Sequence, residues 1–470
     1  MKKITKIVLL FSLLLLISCK EASVEKQAAI DLQQIKNRGE LIAITGYNPY
    51  SYFIYKGQLL GFEYELLKRL TKDLNLKLKI KVVKDMNKMF DMLDKGKGDL
   101  IAYNLTVTKR RNDKYAFCQA LNTTKQVLVQ RMPKNWRKLT RDQIDNKLIR
   151  NPLKLEGKTI VVRSASSYVQ RLKNLSEEIG GGINIKIAAP DLTVDDLIKM
   201  VADGKIDYTV ADQNVARLNQ AFYPNIDVRT ELSFSQKIAW AFRKSSPKLL
   251  KAVNNWLSNI KKKPEFYVIY NKYFKNRTAY RRRLKSKYLS YESGKISKYD
   301  KYIKLFADSL HWDWRLLASL IFQESQFNPD AKSWVGAIGL MQVMPQTAKG
   351  YNIYKLEIPR TNLEAGFQHL KWLDKYWRKS IPDSSERIKF VLASYNIGLG
   401  HIEDARRLAK KYGANPNIWF GNVEKYLLLK SKKKYYTDPV VRNGYARGIE
   451  TVNYVKEILD RYRHYLQLIS

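Results

Sequence analysis

Strand-like sequence stops near residue 274, and that change of texture rules out one continuous fold for the 470 residues. From Leu41 onward, short apolar runs alternate with helical stretches: 41–44 reads as a strand, 62–70 as an amphipathic helix and 78–83 as a second strand. Strand, helix and strand at this spacing predict a parallel α/β sheet. A second α/β unit begins at 157–162 and ends near Phe274, after a helical stretch at 249–257. Residues 275 to about 295 lose apolar periodicity and carry Arg277, Arg281, Arg282, Arg283, Lys285 and Lys287. Such a run reads as a solvated, charged connector, with contact to anionic lipid or wall as the alternative. From 298 to 470 the chain reads as helices, without internal repeats. The expected fold class is multidomain: a two-lobed α/β module followed by a mainly α domain.

The N-terminus carries a separate instruction. Lys2, Lys3 and Lys6 flank an apolar run at 7–17, shorter than the roughly 20 residues a bilayer span requires. Basic flank and short apolar core read as a secretory leader. Leu16-Ile17-Ser18-Cys19 resembles the bacterial lipobox, which implies acylation of Cys19; an ordinary cleaved leader with an incidental cysteine is the alternative. Lys20, where an aspartate would signal retention, implies by the same resemblance the outer membrane, with the chain lipid-anchored on the periplasmic face. With Cys19 acylated, Cys118 has no partner for a disulfide, and its apolar setting in Tyr115-Ala116-Phe117-Cys118 predicts a buried thiol. The formal net charge is +41, and removing the leader's lysines leaves most of it. Such a field favours anionic partners, although a lysine bias without function gives the same number. Export and the lack of any nucleic-acid motif argue against nucleic acid.

The stretch from Asp99 to Arg111, after a Gly96-Lys97-Gly98 turn, resembles the amino-acid-binding family 3 of periplasmic solute-binding proteins. Segments 59–66 and 204–212 extend the resemblance over about residues 31–276. It implies that Arg111 grips a ligand α-carboxylate in a bidentate pair. Thr106 would add a hydroxyl, Asp212 would take the α-ammonium, and Ser166 would offer a hydroxyl at a helix N-terminus. Arg111 also sits among Lys109, Arg110 and Lys114, so a solvated charge is the alternative. Tyr47, Tyr50, Tyr52 and Phe53 stack on a ligand or pack a core.

In the helical part, Asp313 is a suitable N-cap for a helix whose Trp314, Leu317, Ala318 and Ile321 fall on one apolar face. Glu324 projects from that same face, where burial disfavours its charged form and raises its pKa. A carboxylic acid still protonated near neutral pH is what glycoside cleavage needs at the leaving oxygen. Asn328-Pro329 is expected to end the helix and leave Glu324 at a cleft rim; a structural glutamate paired with a base is the alternative. Downstream stand Gly339-Leu340-Met341-Gln342-Val343-Met344-Pro345 and Ser394-Tyr395-Asn396. Together with Glu324-Ser325 and a terminal stretch bearing Arg447, Glu450 and Tyr454-Val455, these closely resemble the soluble-lytic-transglycosylase catalytic domain, a goose-type-lysozyme-like α fold, over about 298–470. Ser394 departs from the commoner alanine.

The resemblance implies a peptidoglycan lyase. Glu324 would protonate the oxygen between N-acetylmuramic acid and N-acetylglucosamine, then take the C6 hydroxyl proton as a 1,6-anhydro ring closes. Tyr395 and Tyr454 would orient Glu324 or the sugar, and Ser333, Gln342, Met344 and Asn396 would line the cleft. Each of these has a packing or capping alternative. No cofactor and no metal is implied. Hydrolases with two carboxylates need a second acid, and no second motif-borne acid appears. The modular pairing resembles the membrane-bound lytic murein transglycosylases. The expected organisation is a leader at 1–18, lipidated Cys19 and tether at 19–30, solute-binding-like module at 31–276, basic linker at 277–297 and catalytic domain at 298–470. Expected partners are glycan strands, the membrane through its lipid anchor, and an amino-acid or muropeptide ligand in the first module. The competing reading is a peptidoglycan-anchored receptor without catalysis, against which the presence of Glu324 counts.

Overall fold

The computed structural model describes residues 28–469. The leader, Cys19 and most of the tether lie outside these residues. Two compact units result. The first comprises the chain up to Thr45, Leu67–Ala216 and Asn225–Tyr267; the second comprises Gly46–Leu66, Arg217–Pro224 and Val268–Ser470.

The first unit holds two sheets. One has the strand order Lys77–Val82, Glu40–Thr45, Leu100–Thr106, Gln236–Arg243, Tyr115–Phe117. Its first three strands are parallel and the returning Gln236–Arg243 is antiparallel. The other runs Asn184–Ile187, Thr159–Val162, Tyr208–Asp212, Gln126–Arg131, Ile226–Asp227, again with three parallel strands followed by an antiparallel pair. Leu41, Ile42, Ala43 and Ile44 are all buried, as expected where both faces of a parallel strand are covered. Each lobe is therefore one α/β sheet, and the chain leaves the first sheet and returns to it. Cys118 is a buried free thiol; burial pushes it up to about 12.

The second unit is helical. Its core gathers Leu317, Ile321, Leu340, Trp377, Phe390, Trp419, Val455 and Ile458 from several helices and the loop after Ser325. A small hairpin, Phe53–Tyr55 with Gln58–Leu60, belongs to this unit, although in sequence it falls within the α/β part. Ile54 joins the helical core. The hairpin turn is seated closely: Tyr465 Oη donates to the Gly57 carbonyl at 2.5 Å. A Cβ on Gly57, whose φ is +79°, would come within 2.5 Å of the Phe327 ring. Tyr47, Tyr50, Tyr52 and Phe53 are all buried here, with Tyr52 Oη 2.6 Å from His464 Nδ1. Of the two readings left open for these aromatics, core packing is the one realised.

The basic run differs from the expected solvated connector. Arg277–Leu284 is a helix capped by Asn276, whose side chain accepts from the Ala279 N–H. Tyr280 is fully buried and Arg283 is 6% exposed. The Arg283 guanidinium lies 5.5, 5.7 and 5.9 Å from the Phe53, Tyr273 and Tyr280 rings. Aromatic faces accept a cation that charge counting alone assigns to water.

Candidate active site

Glu324 stands one residue before the end of the helix Trp314–Ser325. Asp313 caps that helix, accepting from the Arg315 N–H at 2.8 Å. The stop comes earlier than Asn328-Pro329: Gln326 and Phe327 both take the left-handed conformation, with φ of 52° and 61°. Ser325 Oγ donates to the Leu340 carbonyl at 2.7 Å, tying the helix end to the following loop. Glu324 is half-buried. Burial pushes its carboxyl up to about 7, while the Tyr454 hydroxyl, which donates to Oε1, pulls the other way. Desolvation prevails, and among the described residues no second carboxylate contributes to the shift. The site therefore has a lone acid held near neutrality.

Around it, the loop from Ala331 to Val343 is folded on itself. Ile338 and Val343 exchange both backbone hydrogen bonds at 3.1 Å. Gln342 donates from Nε2 to the Ala331 and Gly339 carbonyls at 3.0 and 2.9 Å. Ser333 Oγ accepts from the Ala337 N–H at 2.9 Å. Both side chains thus shape the loop that bears them. Met344 is 39% exposed, at the N-cap of a short helix beginning at Pro345. Tyr395 Oη donates to the Met341 carbonyl at 2.8 Å, and the negative charge of Glu324 helps hold this phenol protonated, after burial. Asn396 Oδ1 accepts from Thr451 Oγ1 at 2.7 Å, joining the Ser384–Ile397 helix to Gly448–Leu468. Glu324, Tyr454, Tyr395 and the 338–343 loop meet, with Asn396 braced against the same terminal helix.

Two contributors escaped sequence reasoning. Asn362 is fully buried: its Oδ1 accepts from the Met341 N–H at 2.9 Å, and its Nδ2 donates to the Ile338 and Leu356 carbonyls at 2.8 and 3.0 Å. It pins the loop, and a Cβ on Gly339 would sit 2.3 Å from its Nδ2. Its place in the first turn of the helix Pro359–Arg378 gave no sequence signal. The other is His369, whose ring stacks on Trp372 at 5.7 Å and tilts toward Tyr395 at 5.5 Å. Burial pushes the imidazole down to about 4, so it is neutral at physiological pH. Trp372 remains 45% exposed, giving an aromatic face that leads outward from Tyr395.

The first unit collects its own cluster. Arg111 donates from Nη1 to the Thr106 carbonyl at 2.8 Å and from Nη2 to the Ala165 carbonyl at 3.0 Å. Its guanidinium lies 5.6 Å from the Phe90 ring centre. The fork expected to meet a ligand carboxylate thus holds two backbone carbonyls. Burial pushes Arg111 down to about 10, and the charge of Asp212 is among the groups opposing this. Asp212, 2% exposed, accepts from Asn104 Nδ2 at 2.7 Å; burial pushes it up to about 7, against Asn104 and Arg111. The Thr106 side chain is buried. Ser166 is the N-cap of Ser167–Glu178 without a capping side-chain bond, and its Oγ donates to the Arg163 carbonyl at 2.7 Å. Arg111, Thr106 and the 165–166 segment are brought together, and Asp212 joins through Asn104. Arg163, buried at 2% and donating to Tyr103 Oη at 2.8 Å, had no sequence signal.

Comparison with known proteins divides the chain along its sequence. Residues 41–276 match the bacterial extracellular solute-binding proteins, family 3, and residues 301–418 match the transglycosylase SLT domain. A membrane-bound lytic murein transglycosylase F of Desulfosudis oleivorans is 33% identical over 432 residues, spanning 92% of this chain and 91% of its own. One from Pseudomonas putida is 33% identical over 445 residues, spanning 94% and 87%. Among solved structures, an ancestral amino-acid-binding protein is 26% identical across 52% of this chain and 98% of its own, with a TM-score of 0.42. A solute-binding-like α/β module followed by a helical transglycosylase domain is the fold class read from the sequence.

Proposed function

The chain belongs to the membrane-bound lytic murein transglycosylase F family, and on that footing we propose that Glu324 alone carries the proton through its peptidoglycan lyase reaction. The observation supporting this is a single half-buried carboxyl held at about 7, with a phenol as its hydrogen-bond donor. As an acid, Glu324 gives its proton to the glycosidic oxygen as the muramyl C1–O bond breaks, while the muramyl N-acetyl oxygen closes on C1. As a carboxylate, it takes the proton from the C6 hydroxyl as O6 displaces that N-acetyl oxygen and forms the 1,6-anhydro ring. The proton returns to Glu324 and water is not consumed. Tyr454 orients the carboxyl; Tyr395 and Asn362 hold the loop bearing Gln342. Ser333, Met344 and Asn396 border the cleft.

We further propose that the module spanning 31–276 takes an amino-acid-bearing ligand. Half-buried Arg111 and buried Asp212, of opposite charge in one cluster, supply complements to a carboxylate and an ammonium once Arg111 exchanges a carbonyl for the ligand. Thr106 and Ser166 border that cluster. Cys19 is proposed as the lipid attachment, with the mature chain beginning there, the outer membrane as its site and 277–297 joining the modules. Incubation of the purified protein with wall sacculi tests the reaction. The expected products are 1,6-anhydromuramyl ends; reducing muramyl ends, one water heavier, would identify a hydrolase, and sacculi bound but uncut would identify a receptor.

A further inference from the structure

The second unit carries a concavity whose lining shares no residue with the Glu324 site. It has a volume of about 580 Å³ and lies between the turn of the small hairpin and the basic helix Arg277–Leu284. Five cations line it: Lys56, Arg281, Arg282, Lys285 and Lys287. All five are exposed. No carboxylate lines it, and none of the five forms an ion pair among the described residues. The remaining wall is formed by Tyr55, Thr278, Ser286 and Tyr288.

The walls are fixed relative to each other. The Lys56 N–H donates to the Tyr288 carbonyl at 2.9 Å, Tyr55 pairs with Leu289 as an isolated bridge, and Ser290 Oγ donates to the Ile54 carbonyl at 3.2 Å. Helical periodicity puts residues 281, 282 and 285 on one arc and 283 opposite. Arg283 is the buried member, clasped by Phe53, Tyr273 and Tyr280, and its Nε and Nη2 have no hydrogen-bond partner among the described residues. The aromatic clasp anchors the helix and presents its other arginines to the basin. A buried guanidinium with no counter-ion among the described residues adds to the positive potential there.

Like charges lining one concavity, with no acid among its described lining residues, raise the local concentration of anions. A zwitterionic amino acid or peptide would require a carboxylate for its ammonium, and none of the described lining residues supplies one. A neutral saccharide would leave the charges uncompensated. Two arginines offer planar forks matched to tetrahedral oxyanions, and three lysines add point charges. We propose that this basin binds a phosphate group, carried either by an anionic lipid headgroup or by a soluble phosphate. In a family whose members are named membrane-bound, headgroup capture would hold the catalytic unit against the bilayer surface.

The test uses the full mature chain at about 0.1 M salt, where surface charge acts over roughly 10 Å. It is sedimented with phosphatidylcholine vesicles, with or without one-third phosphatidylglycerol, and separately titrated with inorganic phosphate. The variant is Arg281→Glu with Arg282→Glu and Lys285→Glu; a control with the same change in net charge reverses Lys349, Lys410 and Lys433, which are exposed on the same unit. Cleavage of sacculi, unchanged in both, reports that the fold is intact. The expected result is anionic-vesicle binding weakened on the order of a hundredfold by the basin variant and only a few-fold by the control. Loss confined to vesicles assigns the lipid headgroup, and parallel loss of inorganic phosphate binding assigns a soluble phosphate. Equal loss in both variants, or no binding of either probe, overturns the site. Should the triple reversal fail to fold, Arg281→Gln with Arg282→Gln must weaken binding in the same order, and unchanged binding in that pair overturns it equally.

Discussion

Asp212 in the first unit and Glu324 in the second are carboxyls that burial holds at about 7, but their neighbours differ. Asp212 has a guanidinium, Arg111, among the groups acting on it, and an amide donor from Asn104. Among the described residues, Glu324 has a phenol alone. A carboxyl with a cation in its field is poised to stay ionised once a second cation, such as a ligand ammonium, arrives. A carboxyl with no cation near it can lose and regain a proton at little cost in either direction, as an acid that becomes a base requires. The proton affinity marks both as functional candidates, and the neighbours separate their roles.

The largest effect that can break this contrast is on turnover. Glu324→Gln should lower release of 1,6-anhydromuramyl ends from sacculi by at least about a thousandfold, within the range for loss of a general acid. Asp212→Asn should leave basal cleavage within about twofold. Comparable losses in both variants would mean that the two carboxyls do not divide the work as proposed.

Next comes ligand binding. Arg111→Ala should weaken calorimetric binding of a free amino acid or stem peptide by on the order of a hundredfold, since one partner of a buried charged contact is removed. The wild-type heat at pH 7 should also vary with buffer ionisation enthalpy. A ligand ammonium lowers the pKa of Asp212 from about 7, so binding expels part of a proton. Heat independent of buffer would remove Asp212 from the ammonium site.

The pH profile of cleavage sharpens the other side. The first step needs protonated Glu324, so activity should fall as pH rises through about 7, approaching about tenfold per unit above it. The Tyr454 bond favours the ionised form; Tyr454→Phe should therefore move the falling limb to higher pH while reducing the rate. A limb that moves down, or stays fixed, would show that Tyr454 does not act on this proton.

How much of this was legible in the sequence follows from what each feature depends on. Helical spacing sufficed for Glu324, because Leu317, Ile321 and Glu324 share a face whatever packs against it, and Asp313 capped where a short polar side chain should. The stop of that helix was misplaced: Gln326 and Phe327 carry no glycine signal, and their left-handed turn is imposed by the loop they enter. Asn362 was invisible because its carbonyl partners at 338 and 356 are defined only by the tertiary fold. The basic run misled for a related reason. Charge composition predicts solvation, whereas Arg283 is buried by aromatic residues from the distant segment around Phe53 and from Tyr273 beside it.

The smallest expected effect is on stability, and its sign distinguishes the two carboxyls. An unfolded glutamate ionises near ~4.3, while folded Glu324 does so at about 7. Between these values the unfolded chain has released a proton that the folded chain still holds. Stability therefore falls as pH rises from about 4 to 7 and then levels, by at most about 4 kcal/mol before solvent screening of a half-buried group. Glu324→Gln removes that dependence: its urea midpoint should exceed the wild type at pH 8 and converge with it near pH 4. Asp212→Asn removes the same penalty but leaves Arg111 buried without its counter-charge, a loss of comparable size; its midpoint at pH 8 should stay level with the wild type or fall below it. If Glu324→Gln instead destabilises at pH 8, Glu324 is an ionised structural partner, and the two carboxyls are alike after all.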